Sequence, residues 1–345
     1  MRQMRVLVLT HEDLVPPSSL RGLSKKEAQV FKKEFDVTGG LRELGHEVQV
    51  VGVSHDLLPI RQHVEEFQPH VVFHLLMEFQ DIAVYQAHVA SYLELLRVPY
   101  AGCNPRGLLL ARDKALSKKI FRYYRIPAPA FHVFRLGRAV RVPKDLDYPS
   151  IVKTVDEEAS LGIAQASIVR DEEKLRERIE FVHRRLGTDA IAEQYIHGRE
   201  LTVSVIGNER LQTFPIWELF FDNLPPGSNP IATERAKWDR EYQLRVGIAT
   251  GPAEDLPEAL ARQIAHLAKR SYRALHLSGY ARLDLRLTED GKVYVIEANP
   301  NPDLRREEDF AASAAEAGLS YPQLLQRLLN LGLRHRSPWR TLEDA

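Results

Sequence analysis

The sequence predicts an α/β protein in which a parallel N-terminal layer is followed by longer strands that pair antiparallel. Three observations predict it. Short apolar runs alternate with helical patterns through the first hundred residues, at 4–10, 25–44, 48–53, 70–76 and 82–96, the order of parallel strands with helices on their faces. Pro99, Gly102, Asn104 and Pro105 then interrupt the pattern and place a domain boundary near residue 105. Further on, Asp290-Gly291 separates two strand-like runs, YARLDLRLT and KVYVIEANP, and favours a two-residue type I′ turn because both positions accept positive φ.

The elements follow in order. After the first strand comes LVPPSSLRG, a loop at a strand's carboxyl end, where open α/β sheets commonly bind ligands. A helix over 113–124 is stopped by Ile126-Pro127-Ala128-Pro129, and short β-like runs appear at 131–136, 150–155 and 162–169. Asp171 is the expected N-cap of a charged helix running to Leu186. From Ala190 the segments AIAEQYI, ELTVSVIG and RLQTFPIWEL read as strands, and 258–275, 309–317 and 321–331 read as helices. The last residues, HRSPWRTLEDA, read as a loosely held tail.

Composition narrows the class of partner. In 345 residues, 47 Lys+Arg balance 47 Asp+Glu, so no global field attracts nucleic acid or an acidic membrane, and a charged ligand must meet a local cluster. Small-molecule partners are expected, with no nucleic acid and no membrane. Cys103 stands alone, which excludes an internal disulfide and reads as a small buried apolar residue in a reducing compartment. No stretch approaches the roughly 18 apolar residues of a membrane span, and MRVLVLT is followed at once by His11, Glu12 and Asp13, so a cytoplasmic location is expected.

The hairpin carries the chemistry. Counting outward from Asp290-Gly291 places Asp284 opposite Glu297 and Arg282 opposite Asn299, with Ala281, Leu283, Leu285 and Leu287 turned to a core. Two carboxylates about 5 Å apart repel unless something positive sits between them. Oxygen ligands of this kind suit Mg²⁺, with Mn²⁺ as an alternative, and substrate phosphates usually complete such a shell. The competing reading has Arg282 and Lys292 neutralise the pair. Phosphates would need cations, and three lysines stand out: Lys114 at a helix start, Lys153 ending the run Ser150-Ile151-Val152, and Lys237 in RAKW. After Lys153, residues 157–162 combine small residues, the Ser160 hydroxyl and Gly162 in a loop able to close over phosphates with backbone N–H groups. Glu193-Gln194-Tyr195-Ile196 ends a strand whose backbone suits an adenine edge, with Glu200 a few residues on for a ribose diol.

Together these residues resemble the ATP-grasp superfamily, and within it the D-alanine:D-alanine ligase group of carboxylate-amine ligases. The resemblance runs from about Phe73 to Leu329 and is carried by PYAGCNPRGLLLARDKALSKKIF, YPSIVKTVDEEASLGI, AIAEQYIHGRELTV, the AKW segment and GYARLDLRLTEDGKVYVIEANPNP. It implies a parallel domain over 1–105, a small ATP-grasp lobe over 106–187, a large lobe over 188–335 with mainly antiparallel sheets, and a tail over 336–345. It implies ATP as co-substrate and amide formation through an acylphosphate, with ADP and phosphate released. In its terms Lys114 and Lys153 hold phosphates, Lys237 approaches the terminal phosphate, Glu193, Tyr195 and Ile196 meet adenine, and Glu200 meets ribose. Asp284, Glu297 and Asn299 hold Mg²⁺, Arg282 steadies the transferred group, and Ser160 joins Arg282 and Lys237 in the catalytic set. Small carboxylate and amine substrates are the implied partners, with a homodimer left open.

The chain departs from the group at both substrate ends. HEDLVPPSS stands in place of a glycine-rich segment, Ala159-Ser160 in place of two serines, and Pro302-Asp303-Leu304-Arg305-Arg306 where a glycine usually helps to bind the second D-alanine. An amine larger or more polar than D-alanine is therefore expected, with Arg305 or Arg306 as one pairing for its carboxylate. A strict D-alanine:D-alanine ligase and a nucleotide-binding module without turnover are the alternatives.

Overall fold

The computed structural model describes residues 3–156, 162–233, 235–236 and 239–343. Strands β1 (Arg5–His11), β2 (Glu47–Val53), β3 (Val71–His74) and β4 (Tyr100–Ala101) form a parallel sheet of order β2-β1-β3-β4. The middle of β1 is buried throughout, as a continuous apolar run covered on both faces must be. The helix Lys25–Glu43 opens on a capping box in which the Ser24 side chain accepts from the Glu27 backbone and Glu27 accepts from Ser24. The helix Leu58–Phe67 escapes the sequence reading because Pro59 looks like a breaker, yet proline is tolerated in a first turn.

Strands β5 (Phe131–Phe134), β6 (Ser150–Thr154), β7 (Ile168–Val169) and β8 (Ala190–Gln194) make a second, antiparallel sheet of order β5-β8-β6-β7. Leu175 and Ile179 of the helix Glu172–Phe181 pack on Val152, Ala190 and Ala192. Only the end of the run expected over 162–169 is strand; Gln165–Ser167 instead makes a 3-10 turn.

The third sheet comprises β9 (Arg199–Ile206), β10 (Gln212–Thr213), β11 (Trp217–Phe221), β12 (Ile248–Pro252), β13 (Tyr280–Leu287) and β14 (Val293–Asn299), with order β12-β11-β9-β13-β14 and β10 beside β9. RLQTFPIWEL divides into β10 and β11 around Pro215, which has no N–H for a ladder. One buried cluster joins Leu7, Leu9 and Val72 of the parallel sheet to Leu201, Val203, Leu283 and Val295 of the third, with Leu108 and Ala111 of the helix Pro105–Arg112 among them. That shared core fixes the third sheet against the helices that follow the parallel layer.

The hairpin reaches its expected register by a different route. Asp284 pairs with Glu297 and Arg282 with Asn299, but Leu285 pairs with Val295 and Leu287 with Val293. Near the turn the ladder is therefore one residue out, and Thr288 faces Lys292 across a three-residue loop closed by Thr288 N–H to Lys292 O at 2.9 Å. A β-bulge at Ile296 restores the register before the carboxylates are reached. The C-terminal segment also differs from the expected loose tail: Pro338–Glu343 is helical, packs near the helix Gln86–Leu95, and is tied back by Arg340 to the carbonyls of Leu333 and His335. Among the described residues no helix is long and apolar enough to cross a membrane.

Candidate functional site

A cavity of about 620 Å³ lies over the third sheet, lined by Arg282, Asp284, Glu297 and Asn299 from the hairpin, Glu200 and Thr202 from β9, Lys114, and Met77 and Lys33 from the parallel layer. Both cross-strand pairs of the hairpin open into it. Arg282 holds Asp284 bidentately, Nε to Oδ1 at 2.7 Å and Nη2 to Oδ2 at 2.9 Å. Burial alone would lower the Arg282 pKa, but Asp284, with Asp309 and Glu297 beyond it, keeps it well above the usual value. Lys292 plays no such part, since Asp290 holds it at the exposed turn at 2.8 Å. Asn299 Oδ1 accepts the Asn301 N–H at 2.9 Å, fixing the amide at the strand end.

Lys114 is the first residue of the helix Lys114–Tyr123, which Asp113 caps by accepting from Leu116 N–H at 2.8 Å. A cation at the positive end of a helix is locally unfavourable, so its place there needs a reason other than the helix. Its own N–H donates to Val155 O at 3.0 Å, seating it just beyond the end of β6, which carries Lys153. Glu193, on the neighbouring strand β8, is 1% exposed and stands between two ammonium groups. Lys153 Nζ donates to its Oε2 at 3.2 Å, and Lys118 Nζ lies 2.9 Å from Oε1. Burial would raise the Glu193 carboxyl, but Lys118 and Lys153 outweigh it and hold it below the usual range. The Lys118 ammonium is pulled down, first by burial, while Lys153 is held up against burial by Glu193 and Glu297.

Beyond β8, Tyr195 and Ile196 are buried, and Tyr195 packs with Ile151, Ile168 and Ile231 as an apolar wall. Arg286 Nη2 reaches Glu200 Oε2 at 2.7 Å and also holds the carbonyls of Gly198 and Pro230. Gly198 takes φ +143°, and a Cβ there would collide with Leu287 O, so only glycine lets the turn pass so close to β13. Lys237 and Ser160 lie outside the described residues. The sequence reading missed Lys118 and Arg286. Arg286 shares the strand parity of Arg282 and Asp284, a signal that would have found it, whereas Lys118 is hidden in the charged run ARDKALSKK.

Also lining the cavity, Arg305 donates from Nε to Asp303 Oδ2 at 2.9 Å, and its Nη2 lies 2.7 Å from Glu308 Oε1. Arg306 pairs with Glu43 and stacks over the Tyr321 ring. Both arginines offered as carboxylate partners thus already have acidic partners of their own. Burial and the nearby Lys33 push the His74 imidazole down to about 4. His11, Glu78 and Asp81 bring ligand atoms within 4.8 Å of one another near the end of β1, and none of them lines the cavity. Cys103 is buried, and burial pushes its thiol up to about 12, so it is an inert packing group.

The family model described as the D-ala D-ala ligase C-terminus matches residues 120–330, a span holding Lys153, Glu193, Glu200 and the whole hairpin. The chain belongs to the D-alanine–D-alanine ligase family. It is thereby an ATP-dependent carbon–nitrogen ligase. The D-alanine--D-alanine ligase of Desulfotalea psychrophila is 32% identical over 248 residues, covering 71% of this chain and 73% of that one. A Sinorhizobium fredii protein, the uncharacterized protein y4sG, is 29% identical over 306 residues and 86% of each chain. Among solved structures, the Bacillus anthracis D-alanine--D-alanine ligase complexed with ATP superposes with a TM-score of 0.72 over 99% of both chains at 22% identity. The VanG D-Ala:D-Ser ligase of Enterococcus faecalis gives 0.69 at 18% identity, over 96% of this chain. At those identities the two structures establish the ATP-grasp fold.

Proposed function

We propose that this enzyme joins a small-molecule carboxylate to an amine other than D-alanine, in the cytoplasm, with ATP and Mg²⁺, through an acylphosphate. The observation that carries the reading is the hairpin face, where two carboxylates and an amide oxygen line the same cavity as Lys114 and Arg282. That donor set is all oxygen and fits a hard divalent cation, Mg²⁺ or Mn²⁺. Asp284, Glu297 and Asn299 would hold the metal, which when bound neutralises phosphate charge.

The chain's own part is placement and charge. Lys114 and Lys153 supply cations for the phosphates, and the resemblance adds Lys237 and Ser160 to the residues around them. Tyr195 and Ile196 receive the adenine against the Ile151, Ile168 and Ile231 wall, beside Glu193, while Glu200, oriented by Arg286, accepts from the ribose hydroxyls. Arg282 donates to the oxyanion that forms when the amine attacks the acyl carbon, a role worth about 2.7–4 kcal/mol for one well-placed donor.

The substrate reading is supported by Asp303, which stands where the resemblance expects a glycine and is paired with Arg305, itself held by Glu308. A methyl-sized pocket with free backbone N–H groups does not fit that arrangement, while an amino acid with a functional side chain or a short peptide does. The test is ADP and phosphate release with Mg²⁺ and ATP over a matrix of amino acids and short peptides, with the product weighed by mass spectrometry. Expected is an amide product formed only when both partners are present. ATP binding with no product from any pair would favour the non-catalytic module.

A further inference from the structure

Among the described residues Lys118 is the most deeply buried cation of the site, its side chain 1% exposed against 9% for Lys153. Like Lys153 and Glu193, it does not line the cavity. Its ammonium makes two contacts that lead to different halves of the machinery. One is the ion pair with Glu193 Oε1, whose other oxygen accepts from Lys153. The other is a hydrogen bond to the Ile296 carbonyl at 2.8 Å. Ile296 is the bulged residue of β14, and the bulge is what brings Glu297 opposite Asp284.

Charge explains why a second lysine is needed. With Glu193 and Lys153 alone, the buried carboxylate would draw on Lys153 as its sole counter-ion and hold it away from an incoming anion. Lys118 meets that demand from the dry side and leaves the trio with one surplus positive charge, at Lys153, the more exposed of the two lysines. The Ile296 contact adds a geometric link: the carbonyl of the bulged residue accepts from the same ammonium.

We propose that Lys118 is a positioning residue that couples the two halves of the nucleotide end, keeping Lys153 available through Glu193 and the metal-side strand in place through the Ile296 carbonyl. This rests on the proposed nucleotide end and not on the identity of the acid or amine.

Thermal-shift titrations with ATP and with Mg²⁺ separate the two arms without requiring turnover. Lys118→Met should weaken ATP binding at saturating Mg²⁺ about tenfold and raise half-saturating Mg²⁺ at fixed ATP about threefold. Adding Glu193→Gln removes the orphaned carboxylate. Glu193 also stands beside the adenine, so the comparison is with the single variant: Lys118→Met/Glu193→Gln should bind ATP several-fold more tightly than Lys118→Met while the Mg²⁺ requirement stays raised. If Lys118→Met does not fold, the raised Mg²⁺ requirement of the double variant carries the test. Wild-type affinities in Lys118→Met, or a double variant in which both affinities recover or fall together, would overturn the proposal. A wild type that binds ATP and Mg²⁺ but forms no amide would overturn the ligase reading and leave this one standing.

Discussion

At the proposed nucleotide end, Lys118 and Lys153 share one carboxylate, Glu193, whereas at the proposed substrate end Arg305 is shared by two carboxylates, Asp303 and Glu308. The first trio carries a surplus positive charge and the second a surplus negative one. The first surplus is held where solvent is scarce and is relieved by an anion, whereas Asp303 and Glu308 keep 34% and 37% of their side chains exposed and are partly screened. Burial, reinforced by Asp303 and Asp309, raises the Glu308 carboxyl above its usual range, while Lys118 and Lys153 hold Glu193 below it. Asp303, Arg305 and Glu308 line the cavity, whereas the Lys118, Lys153 and Glu193 trio lies outside its lining.

The largest effect that would break this contrast lies between the two ends, on the hairpin. Asp284→Asn and Glu297→Gln are each expected to cut ADP release on the order of 10³-fold, about 4 kcal/mol, with the circular dichroism spectrum unchanged. The two should differ without metal: Asp284→Asn strips Arg282 of its bidentate partner and lowers Tm more than Glu297→Gln does. Near-normal turnover in both variants would remove the metal assignment.

Next in size is an acid effect under the substrate end. His74 is neutral in the fold down to about pH 4 but takes a proton near 6.5 when unfolded, so the unfolded state binds more protons between those values. Stability is therefore lost as pH falls from 6.5 towards 4, by on the order of 3 kcal/mol from this group. Denaturant melts of the wild type and His74→Leu across that window should show the shallower loss in the variant. Parallel curves would mean that His74 is not held neutral.

A somewhat smaller change sharpens the cationic side. ATP at a hundred times its Kd should stabilise the wild type by about 2.7 kcal/mol, and Lys153→Ala should lose most of that shift. An undiminished shift would place the phosphates elsewhere. The smallest expected difference concerns specificity: kcat/KM for D-alanine should fall more than tenfold below that of the best amine, about 1.4 kcal/mol or more. D-alanine within tenfold would mean that the Asp303 segment does not exclude it.

The two ends were also unequally legible. Asp290-Gly291 placed Asp284 opposite Glu297, although the turn holds three residues and the bulge at Ile296 offsets the error; nothing in KVYVIEANP signals a bulge. Parallel strands were readable as apolar runs, while β12 was missed because Gly251-Pro252 reads as a loop. Lys118 was passed over because a charged run looks solvated, and only tertiary packing buries one member of it. Arg306 looked available because the fold alone brings Glu43 to it, whereas the Asp303 and Glu308 partners of Arg305 are local and could have been read from their spacing.

The acylphosphate is the central claim, and oxygen tracing tests it most directly. With the carboxylate substrate labelled with ¹⁸O on both oxygens, attack on the γ-phosphorus makes one carboxylate oxygen the bridge, and displacement by the amine sends that oxygen away with phosphate. One ¹⁸O per released phosphate, in step with amide formed, is the expected result. Phosphate without label, released by water alone, would contradict the account.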